Sequence, residues 1–190
     1  MITGVVLAGG QGRRMGTVDK GLQLLRGKTL VQWVVERFAP QVDELLINAN
    51  QNIEQYQILN YRVIPDAIGG FAGPLAGLHR GLSEAAHPLV VTAPCDSPFL
   101  PLDLVAQLKA ALDANKAELA VAKTGDQPHP VFSLCRKSVL PSLTAFLESG
   151  GRKIDAWYAQ LKVAEVQFAD EAAFSNINTR DELAGYEGRA

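Results

Sequence analysis

ITGVVLAGGQGRRMGTVDK, residues Ile2 to Lys20, opens on an apolar run, Ile2 to Leu7, that stops at a loop holding Gly9, Gly10, Gly12 and Gly16 with Arg13, Arg14 and Lys20. Glycines let a backbone approach an anion closely and point several N–H groups at it, while arginine and lysine supply charge at longer range. A strand that runs into such a loop at the head of an alternating chain reads as a phosphate cradle in an α/β fold. The competing reading is a glycine-rich surface turn with solvated arginines. The position directly after an apolar strand favours the cradle.

Spacing separates this loop from two better-known relatives. A dinucleotide fingerprint that starts at Gly10 and Gly12 needs its third glycine where Met15 stands, and a Walker A loop needs Gly-Lys followed by Ser or Thr, whereas Lys20 follows Asp19 and precedes Gly21. Both fail. LAGGQGRRMG with a lysine four residues later resembles instead the signature of nucleotidyltransferases that join an NTP to a phosphorylated acceptor.

The 190 residues suit a single domain, 1–190, long enough to bury a normal core. With 47% hydrophobic and 20% charged residues the chain reads as globular, and a net charge of -2 offers no general attraction for nucleic acid or an anionic membrane. Any anion site must be local. Cys95 and Cys135 stand far apart without metal spacing, so each is expected to be a reduced, buried side chain. No apolar run is long enough to span a bilayer and nothing near Met1 looks like a signal peptide, so the expected location is cytoplasmic.

Along the chain, a helix is expected from about Thr29 to Phe38, with Thr29 and Gln32 at capping-box spacing and Pro40 as its stop. Strands follow at Glu44 to Ile47, ending in Asn48, and at Arg62 to Ile64, ending at Pro65 and Asp66, with a short helix within Gln51 to Gln57 between them. Pro74 opens a helix bearing Leu75, Leu78 and Leu82. The continuous apolar run Leu89 to Ala93 reads as a doubly covered strand leading into Pro94-Cys95-Asp96. A helix is placed from Pro101, and strands at Leu119 to Ala122 and Val131 to Leu134, joined by the polar stretch Lys123 to Pro130. Helices near Val139 to Leu147 and around Ile154, Trp157 and Leu161, a strand at Val163 to Phe168, and a terminal helix capped by Thr179 and Glu182 complete the chain.

Strands alternating with helices predict a three-layer, mostly parallel sheet with helices on both faces, a Rossmann-like α/β fold. Ligands bind such sheets beyond the carboxyl ends of the strands. The first four strands end in the glycine loop, Asn48, Asp66 and Asp96, so one edge collects a cradle, an amide and two carboxylates. Residues 1 to about 100 are therefore expected to be the nucleotide-binding half, and the resemblance to nucleotidyltransferases implies that the remainder is the acceptor half. A single carboxylate with phosphate oxygens and water is how Mg2+ is commonly held, which makes Asp96 the expected metal ligand; its structural alternative is to cap the helix near Pro101. Asp66 and Asn48 suit a base or ribose, although each alone could be a turn residue. Lys20 and Arg14 are placed to neutralise a triphosphate as pyrophosphate leaves, chemistry that depends on positioning and charge. An ionised acceptor phosphate needs no general base. His79, His87 and His129 are scattered and individually read as structural.

With these residues in view, the match narrows. VVLAGGQGRRMG, the DKG of Asp19 to Gly21, INAN ending at Asn50, IPD ending at Asp66, GPLAG from Gly73 to Gly77, PCDSPF, the His129-Pro130 pair and NINT followed by Glu182-Leu183 resemble the bacterial molybdenum cofactor guanylyltransferases over nearly the whole chain. That resemblance implies transfer of GMP from GTP to molybdenum-loaded molybdopterin. It implies GTP contacts from Leu7, Ala8, Gly9, Lys20, Asn48, Asp66 and Asp96, joined by Gly10 and Gly12 of the cradle, and Mg2+ on Asp96. Asn176 and Asn178 match a pair at the acceptor end, where plain turn chemistry is an equal reading, and Asn178 is a candidate to touch the metal through its amide oxygen. Lys123, His129, Arg152 and Lys153 would line the acceptor pocket. Transient handover of a labile product to a cofactor-insertion chaperone is in keeping with the resemblance, with neither nucleic acid nor membrane as partner. A cytidylyltransferase or sugar-phosphate nucleotidyltransferase of the same fold, and a non-catalytic nucleotide-binding regulator, are the alternatives. Gly10, INAN and PCD lean toward guanylyl transfer, and Asp96 argues against a sensor that needs no metal carboxylate.

Overall fold

The structure is a computed structural model that describes residues 1–10, 18–69, 73–177 and 180–187. In chain order the elements are β1 (Ile2–Leu7), β2 (Leu24–Leu25), β3 (Lys28–Thr29), α1 (Leu30–Phe38), β4 (Glu44–Asn48), α2 (Ile53–Gln57), β5 (Arg62–Ile64), α3 (Pro74–Glu84), β6 (Leu89–Pro94), α4 (Leu104–Ala114), β7 (Leu119–Thr124), β8 (Gln127–Arg136), α5 (Leu140–Glu148), α6 (Ile154–Tyr158), β9 (Val163–Phe168) and α7 (Arg180–Glu187). Short 3-10 turns at Lys20–Leu22, Ala39–Gln41, Lys137–Val139 and Glu171–Phe174 join them.

Among the described residues the main sheet has seven strands in the order β5-β4-β1-β6-β8-β7-β9. β5, β4, β1 and β6 are mutually parallel, β9 is parallel to β7, and β8 runs antiparallel to both β6 and β7. The sheet is mostly parallel, with helices on both faces, as the alternating pattern predicts.

Strand alternation divides the core. Val6, Ile47 and Val91 point to one face and pack with Val34 and Phe38 of α1, Tyr56 of α2 and Leu108 of α4. Their chain neighbours Val5, Leu46 and Val90 point to the other, against Leu75 and Leu82 of α3, Leu143 of α5 and Trp157 of α6. β1, β4 and β6 are buried on both sides, which is why their sequences read as apolar runs.

Local signals account for several boundaries. The Thr29 Oγ1 accepts from Gln32 N while the Thr29 N–H donates to Gln32 Oε1 at 2.8 Å, the reciprocal capping box that starts α1. Pro40 lies in a 3-10 turn rather than ending the chain's helical path outright. Two expectations need correction. Residues 101–103 are not helical: α4 begins at Leu104, where Gln41 Oε1 accepts from Val105 N at 3.0 Å, so a neighbouring turn caps the helix that Pro101 was expected to open. The polar stretch Lys123 to Pro130 is not a connecting loop either. It is a hairpin, with Lys123 paired to Pro128 and Thr124 to Gln127, and the register shifts after Val121. Pro128 and Pro130 are tolerated because β6 pairs with β8 only at residues 134–136, leaving the first half of β8 with one ladder neighbour.

Candidate active site

Register lines up the strand ends. Leu7 pairs with Asn48 on one side and Pro94 on the other, and Asn48 pairs with Ile64. Ala8, Asn48, Asp66 and Asp96 therefore leave the sheet at one edge, the carboxyl edge. The Ala8 N–H donates to Asn48 O at 2.8 Å and the Cys95 N–H to Leu7 O at 3.1 Å, so the ladder continues one residue beyond β1 and carries the glycine loop and the Asp96 segment with it.

At the β4–β5 side the polar groups form a closed set. Asn48 Nδ2 donates to Asp66 Oδ1 at 2.8 Å, and Asn50 Nδ2 to Asp66 Oδ2 at 2.9 Å. The Asp66 N–H returns to Asn50 Oδ1 at 2.8 Å, and Asn50 Nδ2 also reaches Gly9 O at 3.3 Å. A Cβ on Gly9 would stand 2.9 Å from Asn50 Nδ2, so the glycine is what lets the loop lie on this clamp. Each Asp66 oxygen accepts one amide and keeps lone-pair capacity for a donor from a ligand. Asn50 is the residue that individual assignment missed. Its spacing of two from Asn48 was the available signal.

At the β6 side Lys20 Nζ lies 3.7 Å from Asp96 Oδ2, with Lys20 in the first position of a 3-10 turn capped by Asp19. Asp96 is buried, and loss of solvent raises its carboxyl above the ordinary value, the Lys20 ammonium only partly offsetting that rise. The Asp96 segment is tied from several directions: Asp96 O accepts from Ile177 N at 2.9 Å, and Arg37 Nε of α1 donates to Leu100 O at 2.8 Å. No group of three or more His, Cys, Asp or Glu side chains fit to hold a metal occurs among the described residues. One buried carboxylate facing an ammonium suits an ion that takes most of its remaining ligands from phosphate and water.

The residues expected on the acceptor side converge less. Asn176 does reach the edge, its Oδ1 accepting from the buried Ser97 hydroxyl. His129 lies near the start of β8, with Nε2 2.7 Å from Thr124 Oγ1 and its ring stacked on Phe174 at 4.6 Å. Burial lowers its pKa, so it is held as a neutral, fixed ring. Lys123 is committed to Glu165 at 2.8 Å, and Arg152 turns to Leu147 O, closing the last turn of α5. Lys153 is exposed at the start of α6. Leu7 ends β1 and Ala8, Gly9 and Gly10 follow it, whereas Gly12, Arg14, Asn178 and the expected cap Thr179 lie outside the described residues.

The model of the MobA-like NTP transferase domain family matches residues 4–164. The molybdenum cofactor guanylyltransferase of Cupriavidus taiwanensis is 52% identical over 193 residues, covering 99% of this chain and 97% of its own. That of Burkholderia vietnamiensis is 51% identical over 197 residues, covering 99% and 96%. Among solved structures, molybdopterin-guanine dinucleotide biosynthesis protein A from Archaeoglobus fulgidus superposes with a TM-score of 0.80 at 26% identity, covering 99% of this chain and 97% of that one.

Proposed function

The chain belongs to the MobA-like NTP transferase domain family, and from that premise we propose how its carboxyl edge transfers GMP from GTP to molybdenum-loaded molybdopterin, releasing pyrophosphate. The observation that carries the reading is the register that brings Ala8, Asn48, Asp66 and Asp96 to one edge with Lys20 Nζ 3.7 Å from Asp96.

An oxygen of the acceptor's terminal phosphate forms the new bond to the α-phosphorus of GTP. The bond from that phosphorus to the β-phosphate bridging oxygen breaks, and pyrophosphate leaves with the electron pair. The acceptor is already an anion, so the protein has no proton to remove and acts by alignment and charge. Asp66, held by Asn48 and Asn50, accepts from the nucleotide. Lys20, with Arg14, balances charge on the departing phosphates. Asp96 would hold Mg2+, which would supply Lewis-acid stabilisation of phosphate oxygens when bound. The buried carboxylate suits this role because a cation restores the charge balance that burial disturbs. Asn176 and Asn178, with His129 and Lys153, form the acceptor side, and the cytoplasm is the compartment in which GTP and the pterin would meet. Among the described residues, no helix is long and apolar enough to cross a membrane.

The test is pyrophosphate release from GTP with Mg2+ and molybdenum-loaded molybdopterin, beside CTP and beside a control without pterin. Release is expected only with GTP and pterin together, and Lys20→Ala and Asp96→Ala should each lower it by at least about a hundredfold. Equal release with CTP would move the base assignment. Tight GTP binding without release would return the regulator reading.

A further inference from the structure

Lys20 is brought to Asp96 by a turn of three residues, Lys20–Leu22, and that turn is anchored from outside the glycine loop. The anchor is Asp19. Its Oδ1 accepts the Tyr56 hydroxyl at 2.6 Å and the Gly21 N–H at 3.2 Å, and its Oδ2 accepts Asn52 Nδ2 at 3.1 Å. Tyr56 is wholly buried on α2, and burial raises its phenol far above the ordinary range, so it remains a neutral donor. A hydrogen bond from a buried phenol to a carboxylate is among the stronger kinds, and it fixes distance and direction together.

The turn is also clamped by shape. A Cβ on Gly21 would stand 2.6 Å from the Tyr56 hydroxyl and 3.1 Å from Cys95 Sγ, so the backbone beside Lys20 is sandwiched between α2 and the residue that precedes Asp96. An acidic residue next to Lys20 would otherwise read as a second metal carboxylate. Its hydrogen bonds point instead to an anchor, since Asp19 Oδ1 accepts two protein donors and Oδ2 a third.

We propose that Tyr56 and Asn52 are positioning residues that act through Asp19 to hold the Lys20 turn over Asp96, coupling the short helix after β4 to charge neutralisation at the departing phosphates. This rests on the role given to Lys20 above. An ammonium that must meet charge as it develops is sensitive to placement, so loosening its turn costs turnover more than nucleotide affinity.

The experiment compares Tyr56→Phe and Asn52→Ala with the parent chain in kcat, KM for GTP and melting temperature, each also in a Lys20→Ala background read by single turnover. Tyr56→Phe keeps the ring; Asn52 is exposed but its backbone is left-handed at φ 51, so Asn52→Ala is expected to fold with a lowered melting temperature of its own, which the kcat reading in the two backgrounds separates from placement of Lys20. The expected result is a kcat loss of roughly tenfold for Tyr56→Phe and about threefold for Asn52→Ala, with KM for GTP within about twofold. Both losses should vanish once Lys20 is gone. Unchanged kcat with a lower melting temperature, a rise in KM alone, or equal losses with and without Lys20 would overturn the proposal. Near-normal turnover of Lys20→Ala itself would instead remove the role of Lys20 on which the anchor depends.

Discussion

Asp96 carries a conflict between folding and chemistry. Burial holds its carboxyl above the ordinary range, against the opposing pull of Lys20. A carboxyl raised in the folded state favours folding when protonated. That contribution is fully present below the unfolded value of about 3.9 and is lost as pH rises through the raised folded value. At neutral pH the ionised side chain therefore costs stability. Asp96→Asn removes the charge at nearly constant shape, so the melting temperature should rise by roughly 2–4 °C, corresponding to about 1 kcal/mol, while transfer falls by at least about a hundredfold. Calorimetry beside the pyrophosphate assay checks both, and a variant that melts lower would remove the conflict. Asp66 has amide donors on both oxygens. Its partner Asn48 was legible at the end of an apolar strand, whereas the anchoring role of Tyr56 was not, because a tyrosine in a five-residue helix carries no local mark of the carboxylate it meets 37 residues earlier.

α3 links sheet packing to the nucleotide side of the edge. Gly77 and Gly81, one turn apart, both face the sheet. A Cβ at Gly77 would fall on Asn48 Oδ1 and stand 2.6 Å from Leu7 Cδ2, whereas one at Gly81 would stand 2.6 Å from Val5 Cγ2 in the apolar core. Both Gly→Ala changes overpack a close contact and should cost about 1–3 kcal/mol. Their functional effects should differ. Gly77→Ala pushes on the amide that holds Asp66 and should raise KM for GTP severalfold, while Gly81→Ala should leave it unchanged; denaturant titration and steady-state kinetics on both variants would check this, and equal KM values would unlink α3 from the nucleotide. Helix starts such as the Thr29–Gln32 box were readable because both partners lie within one turn. The start of α4 was misplaced because its cap, Gln41, lies 64 residues away in sequence.

At the scale of the molecule, the first and second halves of the chain share one sheet through the β6–β8 pairing, and Ile177 returns to Asp96 O. We therefore expect the chain to unfold as one unit. Trp33 lies on α1 in the first half and Trp157 on α6 in the second, so Trp33→Phe and Trp157→Phe each leave a reporter in one half. Their urea transitions followed by fluorescence should coincide with each other and with far-UV circular dichroism; separate midpoints would divide the chain into two folding units. By itself the sequence determined the order and identity of most elements, the two-faced burial of the parallel strands, and the strand ends at which Asn48, Asp66 and Asp96 stand. These follow from apolar runs, periodicity and caps, all properties of short segments. Only the tertiary structure decided that Lys123 to Pro130 is a hairpin, that Lys123 and Arg152 turn to Glu165 and Leu147, that Asn50 bonds Asp66, and that Tyr56 and Asn52 bond Asp19. Those outcomes depend on which polar groups meet when distant segments pack, and a donor buried beside its acceptor is a fact about the fold that neither residue announces alone.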